Sequence, residues 1–327
     1  MNRRLDSMLV WDNHACMPLK PHDTSFLPQL HRHRDAGADV VIVNVGYGDD
    51  GVEQHLRVLA SMRDWLEANS RDFRLIEGVD DIEAARAAGQ LAVGFDIEGA
   101  NAIGDQLSLL GLYRDLGVRW MLLAYNRNNR AGGGCQDDDP GLTDFGRAML
   151  HEMARVGIVA CCSHTGYRTA REAIAESPTP VIFSHSNACA LTDHPRNIPD
   201  DLIRACAARG GVVGVNGIGI FLGNNDSSVD NVARHVLHML DLVGSEHVGI
   251  GLDYIFDSSE LDAEIAANPD KFPPHLGYSA GIAMTPPEQL PDLAEALSRR
   301  GVDDEAIARI FGGNWLRVAR QVWRPRG

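Results

Sequence analysis

The chain has 327 residues, 44% of them hydrophobic and 23% charged, which is enough to bury a large core in one α/β domain. Its net charge of −15 repels phosphate backbones, so we expect no nucleic-acid partner. Residues 1–10 hold no long apolar run, and no later stretch reaches the roughly 20 apolar residues of a membrane span; we therefore expect neither a secretory signal nor a membrane partner, and predict a cytoplasmic protein.

The first predicted strand, residues 9–11, leads into His14 and Cys16. These two residues are two positions apart, so on an extended backbone their side chains point the same way, and an imidazole with a thiolate suits zinc. A turn with a buried cysteine is the alternative interpretation. None of the cysteines is in a CxxC pair, so we expect reduced thiols, with Cys161 and Cys162 as small core residues.

Two further polar residues of the first half stand where predicted strands stop. Glu98 precedes a glycine, and a carboxylate there can bind or bridge metal ions, although capping of the next helix is the alternative. Tyr125 precedes a loop that runs to about residue 141, a length typical of functional or mobile loops; we interpret its three aspartates, 137–139, as a solvated charge run. The predicted strands here are 39–45, 91–97 and 119–124, and the helices are 52–69, 80–88, 107–116 and 143–155.

The stretch 158–187 has a strand–helix–strand pattern. Its apolar runs, 158–162 and 180–183, each stop at a Ser-His dipeptide, which contains His164 or His185, and residues 167–176 between them have helical spacing. Such a unit makes its two strands parallel neighbours, so both imidazoles can face one small volume. A shared metal ion is the simplest reason for that placement; hydrogen-bonded structural histidines are the alternative.

The last part of the chain adds two strand ends and a set of helices. Asn216 and Asp253 follow predicted strands 212–215 and 247–251, and Asp253 is a candidate to titrate beside a metal or to form a turn. His194 lies in a turn-rich segment, as a pocket or turn residue, and His235 and His238 are interpreted as surface or helix-packing residues. Residues 257–287 are rich in proline and glycine, and the predicted helices are 200–208, 229–243, 290–298, 303–310 and 314–322.

About eight strand candidates alternate with helices, which predicts a closed parallel (β/α)8 barrel of the TIM type over a single domain, residues 1–327. An open doubly wound sheet is the alternative, but no GxGxxG follows an early strand. The polar candidates all stand at the C-terminal ends of predicted strands, the face that carries the active site in such barrels. This coincidence predicts one metal site, built from His14, Glu98, Tyr125, His164, His185, Asn216 and Asp253.

These residues, in this order, resemble the membrane (renal-type) dipeptidase family of zinc peptidases, relatives of the amidohydrolase barrels. The resemblance covers nearly the whole chain and is most specific over residues 180–201. Its motifs are residues 12–18 (DNHACMP), Glu98-Gly99, the segment 180–186 (PVIFSHS), the segment 196–201 that begins at Arg196, Asp253 after residues 249–252, and the tail 313–318.

The chain departs from the family pattern at two positions. Cys16 stands where the family has a metal-binding aspartate, and a thiolate is a softer and larger ligand that changes the electrophilicity of the ion. Tyr125 stands where the family has a histidine that contacts the scissile carbonyl. A tyrosine can donate one hydrogen bond to an oxyanion, but it carries no positive charge at neutral pH.

The resemblance implies hydrolysis of a small amide, a dipeptide in the family, through a metal-activated water. One or two zinc ions would be held by His14, Cys16, Glu98, His164 and His185, with Glu98, Tyr125 and Asp253 in catalysis. Tyr125, Arg196 and Asp253 would contact the substrate, with Arg196 on its carboxylate. The resemblance also implies a homodimer. Two other hypotheses stay open: a hydrolase of an N-substituted amino acid, and a catalytically silent binding protein.

Overall fold

Parallel strands form the centre of the molecule in the computed structural model, which describes residues 5–324. Residues 1–4, part of the segment in which we expect no secretory signal, lie outside the described residues, as do 325–327. The strands are β1 (Trp11–Cys16), β2 (Val40–Tyr47), β3 (Phe73–Leu75), β4 (Leu91–Glu98), β5 (Val118–Leu122), β6 (Val159–Cys161), β7 (Val213–Val215), β8 (Val248–Ile250) and β9 (Tyr254–Ile255).

Helices connect these strands. They are α1 (His31–Asp35), α2 (Val52–Ala68), α3 (Val79–Ala88), α4 (Leu109–Asp115), α5 (Asp144–Val156), α6 (Tyr167–Glu176), α7 (Asp200–Ala208), α8 (Gly219–Leu222), α9 (Val229–Val243), α10 (Ser258–Ala267), α11 (Leu290–Arg299), α12 (Asp304–Ala308) and α13 (Asn314–Val322). No helix within residues 5–324 is both long enough and apolar enough to cross a membrane.

The parallel pairing runs around a ring. One sheet has the order β6-β5-β4-β2-β1-β9, with β3 also paired to β4, and β7 pairs with β8. Single parallel pairs, Cys161 with Ile182 and Phe183 with Val213, join β6 to β7 through the segment that was predicted as a strand. The chain then passes from β8 into β9, where Tyr254 pairs with Ala15 of β1. The predicted parallel barrel is therefore confirmed.

Alternation along the strands separates two apolar layers. In β2, Val40 and Ile42 pack inside the barrel with Trp120, whereas Val41 and Val43 pack against the surrounding helices. In β4 the residues that face the barrel interior become polar at the C-terminal end of the strand. The barrel interior is therefore apolar at its lower part and polar at its upper rim.

Five expectations about the elements need correction. Strand β1 extends through His14 and Cys16 rather than stopping before them, and residues 180–183 make only isolated bridge pairs. Strand β3 is three residues long, too short to show a period in the sequence. Helix α10 lies in the stretch rich in proline and glycine, where the Asp257 side chain caps it by accepting from the amides of Ser259 and Glu260. Helix α12 ends at Ala308, because one π-helical turn follows.

Candidate metal centre

Four strand-end side chains converge at the upper rim of the barrel. The Nε2 atoms of His164 and His185 are 3.0 Å apart, and they lie 3.4 and 3.3 Å from Oε1 of Glu98. Nε2 of His14 lies 3.7 Å from the same oxygen. Donor atoms around a tetrahedral zinc with bonds of about 2.0–2.1 Å are about 3.3 Å from one another, so this spacing suits one ion.

Glu98 is the unusual group in this cluster. Its side chain is only 5% exposed, and its Oε1 is buried without a hydrogen-bond partner among the described residues. Burial raises the pKa of Glu98 to about 8, against the opposing effect of His14. The following Gly99 has φ 136°, a conformation that glycine tolerates, and it turns the chain away directly after the carboxylate. A buried oxygen without a donor is what a cation would satisfy.

His14 is oriented by a carboxylate that sequence reasoning missed. Its Nδ1 lies 3.0 Å from Oδ2 of Asp96, and Nδ2 of Asn44 donates to the other Asp96 oxygen at 2.8 Å. Burial works against a charged His14, but Asp96, Cys16 and Glu98 outweigh it and raise the pKa of His14. Asp96 and Glu98 are two positions apart in β4 and share its inner face, which is the signal that could have identified Asp96.

Cys16 and Asp253 form a second donor set with His14. The Cys16 Sγ lies 3.5 Å from Nε2 of His14 and 3.6 Å from Oδ1 of Asp253, and that carboxylate oxygen lies 3.4 Å from the same Nε2. Asn216 donates to the other oxygen of Asp253 at 2.8 Å. Burial raises the pKa of the Cys16 thiol to about 12. The two donor sets share His14 and lie side by side.

The two later histidines are held as neutral imidazoles. Burial lowers the pKa of both His164 and His185 well below the usual range, helped by Arg196 and His14. Nδ1 of His164 contacts Oδ1 of Asn126 at 2.7 Å, and Nδ1 of His185 contacts the Ser184 hydroxyl at 2.7 Å. These contacts leave both Nε2 atoms aimed at Glu98, as neutral imidazole ligands must be.

Backbone geometry at the rim is specialised. Asn126, His164 and Asp253 have φ values of 56°, 63° and 59°, in the left-handed region that few residues other than glycine adopt. All three residues point a polar side chain into the cluster. This concentration of uncommon conformations at one rim is typical of a functional site.

A cavity of about 420 Å³ opens above the cluster, lined in its deeper part by Cys16, Glu98, His164 and Asp253. Tyr125 lines it too, and its ring stacks on His164 with centroids 4.1 Å apart and an interplanar angle of 23°. Burial raises the pKa of Tyr125 well above its usual range, so the phenol keeps its proton. Tyr125 is therefore a proton donor directly beside the two-histidine side of the cluster.

Arg196 is 2% exposed and lies against Phe221, another wall residue, with its guanidinium carbon 5.2 Å from the ring centroid. Its Nη2 donates to the His185 carbonyl at 3.3 Å, while Nε and Nη1 have no partner within the described part of the chain. His194 accepts from the Arg196 amide through Nδ1 and holds the Leu276 carbonyl through Nε2, which gives it a turn-forming role. Two buried guanidinium donors are thus left for an anion.

Other expectations are settled by the contacts. Residues 137–139 are not a free charge run, because Asp137 pairs with Arg127 and Asp139 accepts from the amide of Thr169. Cys161 and Cys162 are buried core residues, and all six cysteines are free. His235 is a helix-packing residue rather than a surface one, since it is fully buried.

The fold and the cluster define a parallel α/β barrel with a buried histidine–carboxylate centre at the C-terminal ends of its strands. A family model described as membrane dipeptidase (peptidase family M19) matches residues 25–272. The chain belongs to the membrane dipeptidase family.

Relatives and solved structures agree with this assignment. An uncharacterized dipeptidase of Schizosaccharomyces pombe is 35% identical over 76% of this chain and 58% of the relative, and dipeptidase tcpJ of Claviceps purpurea is 30% identical over 79% and 57%. The chain thus spans less than two thirds of these curated relatives. The crystal structure of an amidohydrolase from Pseudomonas aeruginosa superposes with a TM-score of 0.89 at 28% identity, over 98% of each chain. A metallopeptidase from Rhodobacter sphaeroides, liganded with a phosphinate mimic of the dipeptide L-Ala-D-Ala, has a TM-score of 0.79 at 22% identity over 97% and 99%, a likeness of fold.

Proposed function

We propose that the protein is a zinc-dependent hydrolase that cleaves the amide bond of a dipeptide or a similar small substrate. One observation carries the proposal: the buried Glu98 Oε1 has no hydrogen-bond partner within the described residues and faces the Nε2 atoms of His14, His164 and His185. A mixed set of imidazole, carboxylate and thiol donors suits zinc better than magnesium or calcium, which prefer oxygen.

The donor atoms of the cluster fit one or two ions. His164, His185 and Glu98 would hold one, and His14 and Cys16 would hold the other, which leaves the carboxylate of Asp253 beside them for proton transfer. Zinc in such a site supplies a Lewis acid and lowers the pKa of water to about 7.

The chain's own groups account for the remaining chemistry. Asp253 lines the cavity with one oxygen fixed by Asn216, so its other oxygen can take a proton and pass it to the leaving nitrogen. Tyr125 keeps its phenolic proton and can donate it in a hydrogen bond to the developing oxyanion. The two unpartnered Arg196 donors can pair with the substrate carboxylate, since a planar guanidinium fits two oxygens.

Metal analysis and a hydrolysis assay test the proposal together. The purified protein, dialysed against zinc and then freed of excess metal, should retain one or two zinc ions per chain and hydrolyse dipeptides. Glu98→Gln should remove most of the activity, because an amide is a poorer ligand than a carboxylate. A zinc-reconstituted protein that retains no metal and hydrolyses no amide would instead favour the silent binding protein.

The second candidate is a hydrolase of N-substituted amino acids. Cys16 and Tyr125 favour it, because both differ from the family pattern and both line the cavity at the cluster. A panel of dipeptides and of N-acyl and N-alkyl amino acids separates the two. Turnover of an N-substituted amino acid without turnover of any dipeptide would replace the first candidate by the second.

Three expectations from the sequence stay predictions: the single domain over residues 1–327, the cytoplasmic location and the homodimer. Limited proteolysis, cell fractionation and sedimentation analysis, in that order, would test them.

A further inference from the structure

The carboxylates at the mouth of the cavity differ in burial from those on its floor. Its floor carboxylates are nearly buried, with Glu98 4% and Asp253 9% exposed. Farther out it is lined by five more carboxylates from two segments, the loop after β2 and the stretch that begins α10. We call these the acidic rim: Asp49, Asp50, Asp257, Glu260 and Glu264.

The rim keeps an excess of negative charge. Glu260 pairs with Lys20 at 3.1 Å and Glu264 pairs with Lys271 at 3.0 Å, so these two carboxylates are balanced. Asp257 accepts from the first amides of α10, and Asp50 accepts from the Tyr47 amide. Within residues 5–324, no lysine or arginine forms an ion pair with Asp49, Asp50 or Asp257.

An ammonium group already rests on the aromatic wall beside this rim. The Nζ atom of Lys271 lies 4.3 Å from the ring centroid of Tyr47 and 5.4 Å from that of Phe272, and all three residues line the cavity. Aromatic faces attract cations, so this wall is suited to a cationic group independently of the carboxylates.

The aromatic wall continues from Phe272 toward Arg196. Arg196 lies behind Phe221, and Phe221 contacts Tyr278, which in turn contacts Phe272 of the aromatic wall. A molecule bound at the mouth therefore meets an excess of carboxylates together with aromatic faces, and the unpartnered guanidinium donors of Arg196 lie behind one of those rings. The field of such a cleft favours a dipolar ligand in one orientation.

We propose that the acidic rim selects dipeptides whose N-terminal residue carries a basic side chain. The inference rests on the proposed function for the carboxylate end and the cleaved bond. Asp49 and Asp50 are its specificity-determining residues, and neither is a metal donor in the cluster described above.

A matched peptide series tests it: Lys-Gly, Gln-Gly and Glu-Gly with the zinc-loaded protein. We expect kcat/KM to fall in that order, with Lys-Gly about tenfold above Glu-Gly at low salt, since each exposed charge contributes up to about threefold. The ratio should shrink toward one at high ionic strength, where the Debye length falls to about 3 Å at 1 M.

The double variant Asp49→Asn/Asp50→Asn should lower the Lys-Gly to Glu-Gly ratio about fivefold and leave Gln-Gly unchanged. Glu67→Gln is the control: it removes one exposed charge from the far end of α2, about 20 Å along that helix, and should leave the ratio as it is. Equal kcat/KM for the three peptides, or a ratio that the double variant does not change, overturns the inference.

Calorimetric binding of the same peptides provides a readout that needs no turnover. If no peptide is hydrolysed, the proposed function fails, while the order of affinities still decides the inference. Binding in the order Lys-Gly, Gln-Gly, Glu-Gly supports the acidic rim as the selecting surface, and equal affinities exclude it.

Discussion

At the scale of single residues, the chemistry of the centre depends on groups that cannot satisfy one another. Glu98 has a buried oxygen without a hydrogen-bond donor. Of the three imidazoles nearest to it, those of His164 and His185 are neutral and present a nitrogen atom, whereas the pKa of His14 is raised. Such an arrangement is costly for the chain alone and favourable around a divalent cation. Cys16 lies at the same centre, where its thiol contacts Nε2 of His14 and Oδ1 of Asp253.

We predict that Cys16 is a metal ligand when the second donor set is filled. Cobalt-substituted protein should then show a thiolate-to-cobalt absorption band in the near ultraviolet, and Cys16→Ser should abolish it. Cys135→Ser is the control, since Cys135 contacts Asn126 at 3.5 Å rather than a metal donor. Cys16→Asp should retain or raise the zinc content without the band. A band that persists in Cys16→Ser would contradict the assignment.

Asp96 is predicted to strengthen metal binding through His14. Asp96→Asn removes the negative charge that lies 3.0 Å from Nδ1 of His14, and the loss of such a partner typically lowers metal affinity 10- to 100-fold, roughly. Zinc affinity measured by chelator competition checks this. Asp200→Asn is the matched control, because Asp200 contacts His238 at 2.9 Å outside the cluster. This substitution should not change the zinc affinity. Equal affinities in the two variants would contradict the role of Asp96.

At the scale of elements, the closing strands of the barrel are shaped around one indole ring. Gly214 of β7 and Gly249 of β8 are register partners, and Trp315 of α13 packs over both while donating to the Ile250 carbonyl at 3.1 Å. A Cβ on Gly249 would lie 2.5 Å from the Trp315 ring, closer than carbon atoms can approach. Because neither glycine has a side chain, the Trp315 ring of α13 can pack directly on the two strands.

Gly249→Ala should lower the free energy of unfolding by about 1–3 kcal/mol, the usual cost of overpacking a core. Gly111→Ala is the contrasting variant: it lies inside α4 with its nearest neighbour 3.9 Å away, so alanine should stabilise the helix by about 0.5–1 kcal/mol. Urea unfolding of both variants measures the difference. Equal effects of the two substitutions would show that Trp315 moves without cost.

At the scale of the whole molecule, buried neutral histidines link stability to pH. Burial lowers the pKa of His194 and of His235 to about 4, from an ordinary value near 6.5. Nδ1 of His235 accepts from the Ala188 amide, so a proton there would also remove a hydrogen bond. Between pH 6.5 and 4 the unfolded chain binds protons that the folded chain excludes, so stability is complete above pH 6.5 and decreases toward pH 4.

We expect the free energy of unfolding to fall across this window by up to about 1.4 kcal/mol per pH unit for each such histidine. His235→Gln should flatten the pH dependence, whereas His151→Gln, on an exposed position, should leave its slope unchanged. Denaturant unfolding at a series of pH values is the measurement. The same slope in both variants would mean that His235 is charged in the folded state.

The sequence by itself determined the barrel and the strand ends that carry polar residues. Apolar runs of period two and helical spacing are signals within a short stretch of sequence. Four site residues can be identified because each follows such a run: His164, His185, Glu98 and Asp253. The strand–helix–strand unit around His164 and His185 could be paired correctly because its two strands are neighbours in sequence. Elements without a local signal, the three-residue β3 and the capped helix α10, could not be found this way.

Only the tertiary structure decided which groups meet across the barrel. Asp96 contacts His14 across 82 residues, Asn126 contacts His164 across 38, and the acidic rim combines a loop after β2 with α10. No local period encodes such contacts, because the closure of the ring sets which strand ends face each other. Burial likewise set the charge of each group: the same side chains in an open chain would keep ordinary pKa values and carry no unsatisfied atom.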